Sequence, residues 1–165
     1  MKNLKTITPD YAVAGALAFD DFAEAAALGF ASIINFRPDR EVAGQLSAGE
    51  GQRFAGSSGL AYVHLPVSKF DMFADQNVAE TAHLLATLPR PVLAHCASGQ
   101  RAAILWAAAN ARTTPVDDVM ATLRIAGFEL DFLRDDLDAQ ANRASWAAAS
   151  DGQPSDEKLA ERAAA

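Results

Sequence analysis

Short apolar blocks alternate with longer amphipathic stretches along this chain. Residues 11–14, 31–36, 61–67 and 91–94 are compact apolar runs bounded by polar residues, Gly or Pro, and they predict strands. Between them the period changes. Residues 19–28 carry Asp20, Asp21 and Glu24 early and meet Gly29 as a stop, the charge order that a helix dipole favours. Residues 47–59 read as a weaker helix, interrupted by Gly51 and Gly56. Asp75 reads as the N-cap of a helix reaching about Leu88, with Val78, Ala82, Leu85 and Leu88 on one stripe. Residues 102–111, rich in Ala, Leu, Ile and Trp, predict a further helix. Thr114 and Pro115 open the next, which presents Val116, Met120, Leu123 and Ile125 and stops at Gly127. A last helical segment spans about 130–148. No repeat or linker divides the chain, so residues 1–149 are expected as one domain and 150–165 as a frayed polar tail.

Strands alternating with helices predict an α/β fold with a mostly parallel central sheet flanked by helices. Ligands of such sheets sit at the carboxyl ends of the strands. That rule gathers three loops: Arg37, Asp39 and Arg40 after one strand, Ser68, Lys69 and Asp71 after another, and Cys96 to Arg101 after a third. Together they would form a locally positive mouth, unless Arg37 and Arg40 simply pair with Asp39 and Glu41.

The third loop carries the candidate chemistry. It reads His95–Cys96–Ala97–Ser98–Gly99–Gln100–Arg101–Ala102, between an apolar strand and an apolar helix. A strand, a tight loop with one Gly and a helix N-terminus make an anion cradle, because loop N–H groups and about half a positive charge converge there. The amides of Ala97, Ser98, Gly99, Gln100 and Arg101 are the expected anion-binding set, with the Arg101 guanidinium. Cys96, the single cysteine, sits where such a setting favours thiolate over thiol, so it is the candidate nucleophile. The bland alternative is a small apolar residue ending a buried strand. His95 is expected to hydrogen-bond the loop, whereas His64 and His83 read as ordinary strand and helix residues.

Composition narrows the partners. The 165 residues are half apolar, with a net charge of −7 that argues against nucleic acid. Residues 128–165 hold nine acids against four bases, which reads as a solvated helix face and tail. One Cys and three scattered His offer no metal-spaced cluster, and no cofactor is called for. No apolar run is long enough to span a membrane, residues 1–5 lack the character of a signal peptide, and the lone Cys suits a reducing compartment. A small anionic substrate and a cytoplasmic setting are the expectations.

Three segments carry a resemblance. They are Ile33–Ile34–Asn35–Phe36–Arg37–Pro38–Asp39, Tyr62–Val63–His64–Leu65–Pro66–Val67, and Pro91 to Arg101 followed by Leu105–Trp106. In this order they resemble the bacterial family of beta-lactamase-hydrolase-like, phosphatase-like domains, over roughly residues 8–135. The strand–His–Cys–loop–Arg–helix order is similar to cysteine-dependent phosphatases of the tyrosine and dual-specificity type. The resemblance implies a tyrosine-phosphatase-like fold and phosphomonoester hydrolysis through a phosphocysteine. It implies Cys96 as nucleophile, Arg101 as oxyanion ligand and Asp71 as general acid, with Asp75 as the other candidate acid; Arg37 and Asp39 would support the site.

Two departures from the phosphatase pattern keep other chemistries open. Four residues separate Cys96 from Arg101 where five are usual, a shorter cradle that resembles rhodanese-type sulfurtransferases. Ala102 stands where a Ser or Thr usually helps the thiolate leave. The alternatives are therefore sulfur transfer through a Cys96 persulfide, or a weakly active module binding anions or phospho-ligands.

Overall fold

The computed structural model describes residues 1–151, and the expected tail over 150–165 lies outside them except for its first two positions. Five strands form one sheet: β1 (Lys5–Thr8), β2 (Tyr11–Ala14), β3 (Ser32–Asn35), β4 (Ala61–His64) and β5 (Val92–His95). Their order is β1-β2-β5-β3-β4. The four strands expected from the apolar blocks run parallel, and β1 joins β2 antiparallel at the edge. The mostly parallel α/β architecture is as the alternating pattern predicts.

Strand β1 is the addition. Its Lys-Thr-Ile-Thr sequence buries only Ile7, so no apolar run marks it. It pairs with β2, and Lys5 also donates to the Gly127 carbonyl at 2.5 Å and lies 4.3 Å from the centre of the Phe128 ring.

Side chains alternate between the sheet's faces. Ala12, Ile33 and Leu93 pack toward α1 (Phe19–Ala27) and α2 (Ala48–Ser57), with Phe22 and Ala55. Val13, Ile34 and Ala94 pack toward α4 (Gln100–Asn110). Helix α4 is buried almost all round, because its Ala-rich surface lets the sheet, α3 (Asp75–Thr87), α5 (Val116–Ile125) and α6 (Arg134–Asp151) approach closely. Tyr11 is buried against it, donating to the Ala102 carbonyl at 3.1 Å and stacking on Trp106; burial pushes its phenol well above the usual range.

Three local expectations are corrected. Asp75 is the first residue of α3, not its cap; Ala74 precedes it, and the Asp75 carboxylate pairs with Arg112 at 2.5 Å. Pro115 occupies the cap position of α5, one residue later than expected. Gly51 does not interrupt α2, which runs through it behind a reciprocal cap between Ser47 and Glu50. A Cβ at Gly51 would lie 2.5 Å from the Tyr62 hydroxyl, so glycine permits the close approach of β4.

Candidate anion site and the cavity behind it

Register places Ala14, His95, Asn35 and His64 in one row at the carboxyl edge of the sheet. The three loops named from sequence leave from this edge, and Arg101 joins them. Its Nη1 donates to the carbonyls of Phe36 at 3.2 Å and Val67 at 2.9 Å, the first residues beyond β3 and a short way beyond β4. Its Nη2 donates to Glu41 Oε1 at 2.5 Å. Arg101 is buried, and its Nε has no partner among the described residues.

Strand, loop and helix follow one another as the sequence pattern implies. Cys96 follows β5 directly, and its Sγ accepts from the Gly99 amide at 3.2 Å. Gly99 has φ of 93°, and a Cβ there would lie 3.3 Å from the Ala14 carbonyl, so both conformation and space favour glycine. Helix α4 starts at Gln100, two residues earlier than expected. The exposed Ala97 and Ser98 amides meet no protein acceptor among the described residues. Gln100 N lies 3.5 Å from the Ser98 hydroxyl. Cys96 itself is only 1% exposed and belongs to the core cluster on the α4 face.

Glu41, considered from sequence only as an ion-pair partner of the neighbouring arginines, pairs with Arg37 and also reaches Arg101. Its carboxylate joins Arg101 to Arg37, whose Nε donates to Oε2 at 2.9 Å. Burial pushes the Glu41 carboxyl up, but the hydrogen bonds and charges of Arg101 and Arg37 outweigh it and hold it below the ordinary value. The expected positive mouth is therefore part-neutralised: two guanidinium groups share one carboxylate. Asp39 does not join them, accepting instead from the Ala48 amide at 2.8 Å at the start of α2. The only sequence signal was Glu41 four residues after Arg37; nothing local links it to Arg101, sixty residues on.

Asn35 and His64 also gain roles. Asn35 Oδ1 accepts from the Arg37 amide at 2.8 Å and its Nδ2 donates to the Tyr62 hydroxyl, while His64 Nε2 lies 2.9 Å from the Arg37 carbonyl. They brace the backbone of Arg37 from neighbouring strands.

Asp71 lies on the expected loop, exposed, with Oδ2 accepting from the Ser68 hydroxyl at 2.7 Å. Its carbonyl accepts from Asn77. Among the described residues its side chain makes no hydrogen bond to Cys96 or Arg101, so the structure brings together the loops and Arg101 but leaves Asp71 on its own turn. Lys69 sits over the Phe70 ring.

His95 departs from expectation. Neither ring nitrogen has a hydrogen-bond partner among the described residues. Burial first, then the charges of Arg37 and His64, lower its pKa from 6.5 to about 3; the Cys96 backbone, close but outside hydrogen-bond geometry, opposes this weakly. The cause of the departure is strand alternation: Cys96 falls on the α4 face and His95 beside Leu17 and Phe22, on the α1–α2 face, where it lines a cavity of about 400 Å³.

Among the described residues no three His, Cys, Asp or Glu side chains gather as a metal site, and no helix is long and apolar enough to cross a membrane.

The fold is that of tyrosine-phosphatase-like enzymes. A solved structure of a candidate phosphatase from Neisseria meningitidis matches with a TM-score of 0.74 and 27% identity, covering 85% of this chain and 99% of that one. TpbA of P. aeruginosa, solved as a variant in complex with pTyr, matches at a TM-score of 0.58 and 15% identity, over 87% and 90% of the two chains. A beta-lactamase hydrolase-like protein of Agrobacterium fabrum is 36% identical over 94 residues, 57% of this chain. The chain spans only 22% of that relative's length and 28% of a Xylella fastidiosa relative's. The family model for the beta-lactamase hydrolase-like protein, phosphatase-like domain, matches residues 3–113, and the chain belongs to that family.

Proposed function

We propose that the chain is a cysteine-dependent phosphatase acting on a small phosphomonoester. The observation that carries this is the buried Arg101 Nε, a donor with no partner among the described residues, at the end of a loop whose exposed Ala97 and Ser98 amides also meet no protein acceptor there. Buried donors in folded proteins are nearly always satisfied, and a charged one left unmatched is costly. A tetrahedral oxyanion above Cys96 would accept from Nε and from the loop together, a charge-assisted arrangement suited to phosphate. The two-loop anchorage of Arg101 fixes the guanidinium before substrate arrives.

In this reading Cys96 Sγ attacks phosphorus in line, and the bond to the leaving oxygen breaks as Asp71 protonates it. Asp71 reaches that oxygen only if the 68–74 loop turns toward the cradle, its carboxylate leaving Ser68. Water then attacks the phosphocysteine, returning the thiolate and releasing phosphate. Ala102 supplies no hydroxyl to the departing sulfur, so the second step is the slow one.

Turnover of p-nitrophenyl phosphate, with rapid-quench and intact-mass detection, tests the mechanism. Wild type should show a burst and a phosphorylated Cys96, and Cys96→Ser should show neither while still binding inorganic phosphate. Asp71→Asn should lower the burst rate constant and kcat/KM by ~10²-fold for poor leaving groups and less for good ones. The short loop and Ala102 favour one other outcome: if thiosulfate adds one sulfur that cyanide removes, and aryl phosphate is not turned over, the chemistry is sulfur transfer.

A further inference from the structure

The cavity on the α1–α2 face is not part of the anion cradle: none of residues 96–101 lines it. Its volume, about 400 Å³, falls in the range of small-molecule sites, roughly 300–1,000 Å³. One wall is apolar, from Leu17, Phe22 and Leu46. The lining also carries His95, Arg37 and Tyr62.

Each of these three polar groups has capacity to spare. Both nitrogens of His95 are buried without a partner among the described residues, and the ring is neutral, offering one N–H and one acceptor. The Tyr62 hydroxyl accepts from Asn35 at 2.9 Å and meets no acceptor for its own proton among the described residues. Arg37 uses Nε on Glu41, and its Nη groups make no hydrogen bond among the described residues. Arg37, Arg101 and Glu41 together carry one positive charge, while Asp39 acts on Tyr62 and Asp21 on His95 from further off. An apolar wall with aromatic rings, together with these donors and the Arg37 guanidinium, matches a flat apolar body with a single anionic end.

We propose that this cavity binds an arylacetate, its ring against Leu17, Phe22 and Leu46 and its carboxylate on Arg37 and His95. The site stands on the cavity and its polar lining, and does not depend on any reaction at Cys96. It nevertheless adjoins the cradle, since the Ala16 amide, on the cavity wall, donates to the Ala97 carbonyl at 3.2 Å.

Phenylacetate is the probe, titrated into ¹⁵N-labelled protein and followed by amide and His ring resonances. Saturable shifts at the His95 ring, at residues 16–19 and at 42–47 are expected, whereas inorganic phosphate should move residues 97–101. Arg37→Gln should weaken phenylacetate by roughly 10-fold or more, as loss of a charged hydrogen bond implies. Leu46→Trp, which fills the cavity, should abolish the phenylacetate response and keep the phosphate response. Absence of saturable shifts up to 10 mM (taking roughly 1 mM as the weakest affinity of a real site), shifts confined to 97–101, or equal binding of uncharged benzyl alcohol would each overturn the proposal.

Discussion

A guanidinium has five N–H donors; on Arg101 two go to backbone carbonyls and one to a carboxylate, and the Nε donor has no partner among the described residues. Glu41 thus has two opposing effects. It holds the guanidinium in place, and it sets a negative charge beside the position an oxyanion would take. Glu41→Gln should therefore separate binding from catalysis. Inorganic phosphate should inhibit several-fold more tightly, because a repulsive charge is gone. With aryl phosphate, kcat should fall about 10-fold, because the fork is less firmly oriented. Steady-state kinetics with phosphate inhibition gives both numbers. If neither moves, the pair is an ordinary solvent-screened ion pair of small consequence.

The turn from β5 into α4 decides where the thiol and the amides meet. Its geometry depends on Gly99, whose φ of 93° an L side chain rarely adopts and whose missing Cβ leaves room for the Ala14 carbonyl at 3.3 Å. Gly99→Ala should cost about 1–2 kcal/mol of stability in urea unfolding, from conformation and crowding together. It should also weaken phosphate binding, because the Gly99 amide that meets Sγ at 3.2 Å would turn away. A variant as stable as wild type would show that the turn tolerates a side chain. At the same scale, α4 owes its buried position to alanines rather than to a stripe, which is why its burial could not be read from amphipathic spacing.

For the molecule as a whole, the buried neutral His95 ties stability to pH. Its folded pKa of about 3 lies below the ordinary 6.5, so between those values the unfolded chain binds a proton that the folded chain refuses. Stability from this group is complete above about pH 6.5 and declines as pH falls toward 3. Going from pH 7.5 to pH 5, the loss from His95 alone should be about 2 kcal/mol. Glu41 acts in a lower window: its carboxyl sits below 4.5, so its contribution disappears only as pH falls past that value. Urea unfolding at the two pH values, wild type against His95→Gln, isolates the histidine. The same pH difference in both proteins would mean that His95 is not the group responsible.

The sequence by itself determined the four parallel strands, the order of helices and the strand–loop–helix turn from Cys96 to Arg101. Those features are local: apolar runs, Gly and Pro breaks, and one loop whose residues are neighbours in the chain. It also placed Arg37 and Asp71 on loops at the carboxyl edge, because strand ends are legible from the same runs. The tertiary structure alone decided which side chains meet. Strand β1 has too little apolar pattern to announce itself and exists by its pairing with β2. The link between Glu41 and Arg101 exists only because β3 lies beside β5, and His95 is without a partner among the described residues because alternation sends it to the face opposite Cys96. Contacts across sheet neighbours leave no periodic trace in either segment, so Glu41, Asn35 and the cavity of His95 became visible only once the strands were paired.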